Sequence, residues 1–526
     1  MSLPITEAQA YGITYGALVL FTGIAGIAAF FVYRNAKENA MAGADFWYSA
    51  RDSQNWASLG LSVFASSMGA WVIYAAPETG VTSGWWGVLG YALASTLPFL
   101  VLCYLGPLVR ARYPEGFCVL DWVAARFGRP TQIYAGIISV FYMWVYLVAE
   151  LTSIGGLISS FSGLDPLSAL VPLSLVTMLY TMAAGLPASI WTDRVQGAMM
   201  IPFILIAVIA CASGASIKGG TWKQAADWSS RGFEAFVVLI YAIMGAELFN
   251  MGTWQRVYAA RDERHLRRGL ILGACLIFPT MVLFGVLGML AKAQDLSSAK
   301  PGSLVPPLAF FSLLTGQSTF IKCVTFALAV SMVASSVDSL QTGLLAVISK
   351  DIAAKKLSPL LTTGMGQLLV LVANIPAIWL AAESTKDPEL NYSVIDLFLI
   401  ADLLTCTMIV PVFMGLGPLA TQNGVLAGCM SGLLTIFIFG WAEFGTFAAG
   451  VEMVTLLAFD SIANLAPKEY GLSAHRTCIL FFVIPVITGA MTFMVSATER
   501  VLNAFSYKKM DDPPPIEEEP VPEATV

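Results

Sequence analysis

The stretch SMVASSVDSL, residues 331–340, places hydroxyls and a carboxylate in the middle of an apolar segment that runs roughly from Lys322 to Val347. That segment is long enough to cross a membrane as a helix. Polar groups at such a depth are costly, so they usually face a cavity or bind an ion. The residues of this cluster are spaced by three and four positions, as on one face of a helix. They are Met332, Ser335, Ser336, Asp338 and Ser339. The oxygen donors of the cluster suit a small hard cation. We therefore expect the chain to move something across a membrane.

The composition of the whole chain is that of a membrane protein with many helices. Of its 526 residues, 57% are hydrophobic and only 12% are charged, about half the charged fraction of a typical soluble domain. Apolar segments of about 20 residues recur along nearly the whole length, which predicts an all-α polytopic membrane protein. No basic patch typical of nucleic-acid binding is present. The eight cysteines are scattered and only two histidines occur, so the sequence favours neither a zinc nor a haem site.

About thirteen transmembrane helices are predicted, and we number these spans 0 to 12. The first apolar stretch, Tyr11 to Val32, has no basic region before it, and we interpret it as a retained helix. Residues 445–466 are apolar but contain Glu452 and Asp460, which favours an interfacial or re-entrant segment. The spans are centred near residues 11–33, 55–77, 84–107, 131–158, 166–185, 188–214, 233–255, 268–292, 321–348, 360–382, 394–416, 423–444 and 477–498.

The positions of the basic residues orient the bundle, because cytoplasmic loops carry an excess of Lys and Arg. If the N-terminus is outside and the C-terminus is in the cytoplasm, most of the 28 Lys and Arg residues lie on the inner side. We expect the protein to reside in the plasma membrane. The sequon at 391–393 then falls in an outer loop. The tail, residues 501–526, is acidic and proline-rich from Asp511 onward, which predicts disorder. One basic run is interpreted as an inner-face anchor: Arg256, Arg261, Arg264, Arg267 and Arg268.

Two spans contain glycine or proline where a plain membrane helix needs neither. Span 1, LSVFASSMGAWVIYAAPETG (61–80), contains Gly69 and Pro77, and span 6, LIYAIMGAELFNMGTWQRVYAARD (239–262), contains Gly245 and Gly252. Interrupted helices in matching positions of two halves mark the substrate site of inverted-repeat transporters. Each of these spans is the first of five. The alternative is that the glycines only permit close helix packing.

Several separated patches resemble the sodium:solute symporter family over about residues 45 to 415. The order and spacing of the patches carry the resemblance, since no single one is decisive: ADFWYSARDSQNW (44–56), ASSMGAW (65–71), ASIWTDRVQ (188–196), TWQRVYAARDERHLRRG (253–269) and ASSVDSLQTGLLAVISKDI (334–352). The resemblance implies a five-plus-five inverted repeat of the leucine-transporter type, with broken first and sixth repeat helices. The repeats would occupy 51–215 and 216–416. An extra helix and loop (1–50) and peripheral helices (417–500) would flank them.

The resemblance also implies a sodium site where span 1 crosses span 8. Sodium is expected as the coupling ion, and no other cofactor is expected. Its ligands would be backbone carbonyls of span 1 and carbonyl plus hydroxyl groups of span 8. The matching positions are Ala65, Met68, Met332, Ser335 and Ser336. The alternative for the two serines is hydrogen bonding between helices.

A second ion site is implied for some family members by an aspartate in the fifth repeat helix. Asp193 matches it, and Asp338 and Ser339 fall where its partners would be. Asp338 stands where a hydroxyl is more usual, which leaves two alternatives open. Asp193 and Asp338 could share a proton, giving proton coupling. Alternatively, Arg194 or another inner arginine neutralises Asp193, and the pair is structural.

The fold that the resemblance implies places the solute at the bilayer midplane, between spans 1, 3, 6 and 10. Glu150 and Glu247 matter most there, because an intramembrane carboxylate is by default a functional candidate. With no basic residue securely at depth, we rank urea, polyamines and amino acids above monocarboxylates and sialic acid, and sugars stay an open alternative. The candidate lining residues are Ser67, Trp71, Tyr142, Glu150, Glu247 and Asn250, with Tyr146, Tyr241, Asp396 and Asp402 beside them.

The predicted function is sodium-coupled, or alternatively proton-coupled, symport of a small nitrogenous solute by alternating access. The expected partners are the solute, sodium and the lipid bilayer, with no obligate protein partner indicated. The alternatives are a sugar or monocarboxylate symporter, or a nutrient sensor that binds solute without transporting it. An intramembrane enzyme is disfavoured because the sequence contains no nucleophile–base pair or metal motif.

Overall fold

All regular structure in the described part of this computed structural model is helical. The described residues are 5–38, 44–298, 300–353, 359–386, 394–455 and 472–510. Seventeen α-helices lie within those ranges: α1 Glu7–Glu38, α2 Ala44–Ser49, α3 Trp56–Ser67, α4 Val72–Arg112, α5 Val119–Ser162, α6 Leu167–Gly214, α7 Thr221–Ala225, α8 Ser230–Leu248, α9 Met251–Ala259, α10 Glu263–Leu296, α11 Ala309–Leu314, α12 Thr319–Ala353, α13 Pro359–Lys386, α14 Val394–Met414, α15 Gln422–Phe444, α16 Phe447–Thr455 and α17 His475–Met510.

Three of the long helices change direction at a glycine with positive φ. These are Gly84 in α4 (φ 57°), Gly128 in α5 (φ 77°) and Gly185 in α6 (φ 64°). Such backbone conformations cost little only for glycine, which lacks a Cβ. The 41 residues of α4 and the 48 of α6 also exceed the roughly 20 that cross a bilayer.

The number of spans in the described residues is lower than the sequence predicts. Ten helices are long and apolar enough to cross a membrane, or up to eleven when the bent pair α8 and α9 counts as one span. The protein is therefore a multi-pass membrane protein that is helical throughout its described part, and thirteen spans stays a prediction.

Both segments that the sequence singled out as interrupted are broken in the structure. Between α3 and α4, residues 68–71 leave the helix, and Met68 has φ −101° and ψ 83°. The axes of α8 and α9 are bent by 58°. Asn55 caps α3 and Asn250 caps α9, each through its side-chain oxygen, which fits the preference of Asn for this position. Backbone hydrogen bonds from Gln54 N to Ala259 O (2.9 Å) and from Arg261 N to Gln54 O (2.9 Å) tie the start of α3 to the end of α9.

Glycines let α4 and α10 cross at close range. A Cβ on Gly80 would lie 2.1 Å from the carbonyl oxygen of Gly285, and one on Gly288 would lie 1.9 Å from that of Pro77. Small residues at helix crossings are typical of membrane bundles. Large apolar side chains such as Ile137, Ile209 and Trp379 are more than half exposed on the outside, as expected for a surface that contacts lipid tails.

The predictions for the segment 445–466, the sequon and the C-terminal tail can be compared only with the residues that the structure describes. Residues 447–455 form the short helix α16, and the rest of the segment 445–466 beyond residue 455 lies outside the described residues. The predicted sequon 391–393 also lies outside them. The last helix, α17, ends at Met510, so residues 501–510 are helical rather than part of a disordered tail.

Candidate functional site

A central cavity opens where the two broken helices face α12. Its wall contains the end of α3 and the break after it, together with residues of α4, α5, α8, α9, α12 and α14. Polar and charged groups cluster on this wall: Ser66, Ser67, Ser95, Glu150, Glu247, Asn250, Thr253, Arg256, Ser336 and Ser339. The cavity thus brings groups from both halves of the chain to one place.

Two of the five predicted sodium ligands line this cavity, and the other three are buried. Met68 and Ser336 line the cavity, whereas Ala65, Met332 and Ser335 are fully buried. The Ala65 carbonyl accepts a hydrogen bond from Met68 N (3.2 Å) at the end of α3. The Ser335 hydroxyl donates to Asp193 Oδ1 (2.6 Å), and that of Ser336 donates to Glu150 Oε1. Each predicted hydroxyl ligand therefore contacts a carboxylate.

Glu150 reaches from α5 into the break between α3 and α4. Its Oε2 accepts a hydrogen bond from Ala70 N (2.9 Å), and its Oε1 accepts one from Ser336. The side chain is 2% exposed. A Cβ on Gly69 would lie only 1.5 Å from Glu150 Oε1, so only glycine leaves room for this carboxylate.

Arg256 is buried at the centre of a network that joins four helices. Its guanidinium forms an ion pair with Asp193 (2.7 Å), and the two side chains are 1% and 0% exposed. It also donates to Ser62 Oγ (2.8 Å), Gly252 O (2.8 Å) and Ser339 Oγ (2.7 Å). The interpretation of Arg256 as an inner-face anchor is therefore wrong. Because α9 turns inward after the break, the residue lies inside the bundle.

The three residues of the predicted second ion site are divided between two places. Asp193 and Ser339 both contact Arg256. Asp338 is fully buried behind them and accepts hydrogen bonds from Tyr180 (3.1 Å) and Thr192 (3.3 Å). Consecutive residues of an α-helix point about 100° apart, so Asp338 and Ser339 face different neighbours. Arg194 instead donates to Gln54 and lies over the Trp191 ring.

Most of the residues predicted to contact the solute line the cavity. They are Ser67, Trp71, Tyr146, Glu150, Glu247 and Asn250. Asn250 donates to Glu247 Oε2 (3.2 Å), and Thr253 donates to its Oε1, so this carboxylate is fixed across the second break.

Four other predicted lining residues lie elsewhere or are not described. Tyr142 is fully buried, with its ring 4.7 Å from that of Tyr146. Tyr241 packs edge-on against Phe482. Asp402 is buried and accepts a hydrogen bond from Tyr146 (2.9 Å). The side chain of Asp396 lies outside the described residues.

Sequence reasoning missed several residues of the cavity wall. Tyr91 stacks on Trp71 with ring centroids 5.5 Å apart, and Phe398 lies 4.3 Å from the Tyr146 ring. These four aromatic side chains form one cluster on the wall. Their helical period does not distinguish them from ordinary apolar packing, because which faces meet depends on the tertiary arrangement. The other missed wall residues are Ser66, Ser95, Phe99, Ile243, Thr253, Arg256 and Leu340.

Comparison with known proteins identifies the class to which this fold and cavity belong. Residues 47–432 match the model of the sodium:solute symporter family, and the chain belongs to that family. Its relatives are transporters rather than enzymes.

The relatives with similar sequences are named for different solutes. The chain is 26% identical over 471 residues to the spermidine transporter DUR31 of Candida albicans, covering 88% of this chain and 86% of the relative. It is 24% identical to the sodium/sialic acid symporter SiaT of Proteus mirabilis, covering 69% and 77%. A solved sodium-coupled sialic acid symporter in an outward-open state shares the fold, with a TM-score of 0.71 at 17% identity, over 93% of this chain and 97% of that one.

Proposed function

We propose that this protein is a sodium-coupled symporter that takes up a small solute bearing ammonium or other nitrogen-bound hydrogen donors. The observation that carries the proposal is the charge of the central cavity. Two carboxylates, Glu150 and Glu247, line it, and within the described residues neither forms an ion pair. The cavity's one described basic side chain, Arg256, is already paired with Asp193. The cavity therefore favours a cation over an anion.

For the coupling ion we propose the site formed by Ala65, Met68, Met332, Ser335 and Ser336. Support comes from the hydroxyl of Ser336 and the irregular backbone at Met68, which line the same cavity. Carbonyl and hydroxyl oxygens are hard donors suited to a small cation. Non-helical backbone at membrane depth is tolerated where it lines such a cavity.

We propose that the carboxylate of Glu247, held by Asn250 and Thr253, accepts a hydrogen bond from an N–H group of the solute. The aromatic cluster of Trp71, Tyr91, Tyr146 and Phe398 would attract an ammonium through cation–π interaction. The spermidine transporter among the relatives supports an amine. Other relatives are named for glucose and proline, and these solutes therefore belong in the uptake comparison.

At the predicted second ion site we infer that Arg256 neutralises Asp193. The ion pair and the bond to Ser339 support this inference. A guanidinium in that place leaves no need for a second sodium, which favours one sodium per cycle. Proton sharing between Asp193 and Asp338 stays a prediction.

For the architecture we propose thirteen spans, with inverted repeats over 51–215 and 216–416. Residues 1–50 and 417–500 would flank them, and residues from 511 would form a cytoplasmic tail. Sodium would stabilise an outward-open state of a plasma-membrane protein whose N-terminus is outside. Solute binding would then favour closure, and rocking of the repeats would open the cavity inward.

Uptake by purified protein in liposomes tests the proposal. We expect saturable uptake of radiolabelled putrescine or spermidine that falls severalfold when potassium replaces external sodium. Urea, proline, glucose and sialic acid serve as comparison solutes. Sodium-dependent uptake of only glucose or sialic acid would overturn the amine assignment, and uptake indifferent to sodium would overturn the coupling.

A further inference from the structure

The carboxylate of Glu150 joins the two parts of the proposed sodium site. Ser336 on α12 donates its hydroxyl hydrogen to Oε1, and Ala70 in the break after α3 donates its backbone hydrogen to Oε2 at 2.9 Å. Glu150 itself belongs to α5, a third element. Its two oxygens thus lie between the hydroxyl and the irregular backbone that the proposed site needs.

The local backbone is built around this carboxylate. The Cβ position of Gly69 is occupied by Glu150 Oε1, which would lie 1.5 Å away. A side chain at residue 69 would push the carboxylate out of the break. The carboxylate also accepts a backbone N–H at the start of a helical segment, where partial positive charge favours an anion. Its place in the break is therefore fixed by both sterics and hydrogen bonding.

The carboxylate has hydrogen bonds but no counter-charge. Glu150 is 2% exposed, and no ion pair to it exists among the described side chains. A buried carboxylate without a cation is costly even when it is hydrogen-bonded. A sodium ion bound to both Glu150 and Ser336 from the cavity side would supply the missing charge. The Ser336 hydroxyl can still offer a lone pair to the ion while it donates to Glu150.

We propose that Glu150 is a direct ligand of the coupling cation, which gives this cation site a formal negative charge in addition to hydroxyl and carbonyl oxygens. This inference rests on the proposed sodium-coupled function. It removes Glu150 from the solute subsite and leaves Glu247 there. Each break then has one carboxylate beside it, and the two carboxylates have separate roles. Glu150 holds the cation at the first break, and Glu247 holds the solute at the second.

Binding of ²²Na⁺ to the purified protein without solute tests this assignment. Glu150→Gln keeps an oxygen that can accept from Ala70 N but removes the charge, so we expect its sodium dissociation constant to rise at least about tenfold. Ser336→Ala should raise it severalfold. Glu443→Gln is the matched control, because Glu443 pairs with Arg476 at the periphery, and its sodium affinity should equal that of the wild type.

The outcomes separate this inference from the proposed function. Sodium affinity of folded Glu150→Gln equal to that of the wild type would overturn the role of Glu150 and leave sodium coupling intact. Absence of saturable sodium binding by the wild type would overturn both. Glu150→Asp keeps the charge on a shorter side chain, and we expect its affinity to lie between those of wild type and Glu150→Gln. If Glu150→Gln fails to fold, Glu150→Asp decides: wild-type affinity in that variant would count against direct ligation.

Discussion

At the residue scale, Arg256 joins the buried polar network of the bundle, where its guanidinium pairs with Asp193 and donates to Ser62 and Ser339. Arg256 belongs to a basic run that fits a cytoplasmic anchor, and Arg261, Arg264, Arg267 and Arg268 do follow it toward the start of α10. The arginine alone turns inward and contacts Asp193, Ser62 and Ser339. The pattern of charges predicts on which side of the membrane the basic run as a whole lies. It does not predict that Arg256 alone points into the bundle, because that depends on the break between α8 and α9.

Replacing Arg256 with methionine should strongly destabilise the protein. The substitution leaves Asp193 as an uncompensated buried charge, and breaking a buried pair in this way costs about 3–5 kcal/mol. We expect a large fall in the melting temperature of the detergent-purified protein. The double variant Asp193→Asn/Arg256→Met removes both charges and should recover part of the loss. Arg267→Ala is the control, because its pair with Glu263 is about half exposed and surface pairs contribute little. Wild-type stability of Arg256→Met would contradict this account.

At the scale of elements, the glycines of the sequence indicate where the two broken helices are interrupted. Gly69 lies in the first break and Gly252 lies close to the second, because glycine permits backbone conformations that other residues avoid. The sequence also predicts that the hydroxyls of Ser335 and Ser336 lie beside the first break. It does not predict their hydrogen-bond partners, because Asp193 and Glu150 lie 142 and 186 residues away in sequence and only the packing of α5 and α6 against α12 brings them there.

Gly288→Ala should weaken the crossing of α4 and α10. The added methyl would lie 1.9 Å from the Pro77 carbonyl oxygen, and backbone cannot move aside as a flexible side chain can. Overpacking of this kind costs about 1–3 kcal/mol, so we expect a lower melting temperature. Gly364→Ala in α13 is the control, because nothing lies within 4 Å of its Cβ position. Equal melting temperatures for the two variants would show that the crossing is not as tight as described.

At the scale of the whole molecule, the family and the general fold follow from composition and spaced motifs, whereas the solute does not. Relatives of this chain are named for spermidine, sialic acid and glucose. Solute choice must therefore depend on the few side chains that line the cavity. Here those side chains include Glu247 and the aromatic cluster, and the cationic solute proposed for them would carry charge across the membrane in each cycle.

A cationic solute moving with sodium makes transport respond steeply to membrane potential. Each charge that enters a negative interior gains about 2.3 kcal/mol per 100 mV, which is about fifty-fold in accumulation. With one sodium and a monovalent amine, two charges move per cycle. Accumulation of a monovalent amine in liposomes should therefore rise with an imposed inside-negative potassium diffusion potential about as the square of that factor, and accumulation of putrescine, a dication near neutral pH, about as its cube, before leaks limit it. Liposomes without protein give the passive distribution of the amine. Protein-mediated accumulation that does not change with the membrane potential would mean that no net charge crosses the membrane, and would rule out symport of two cations.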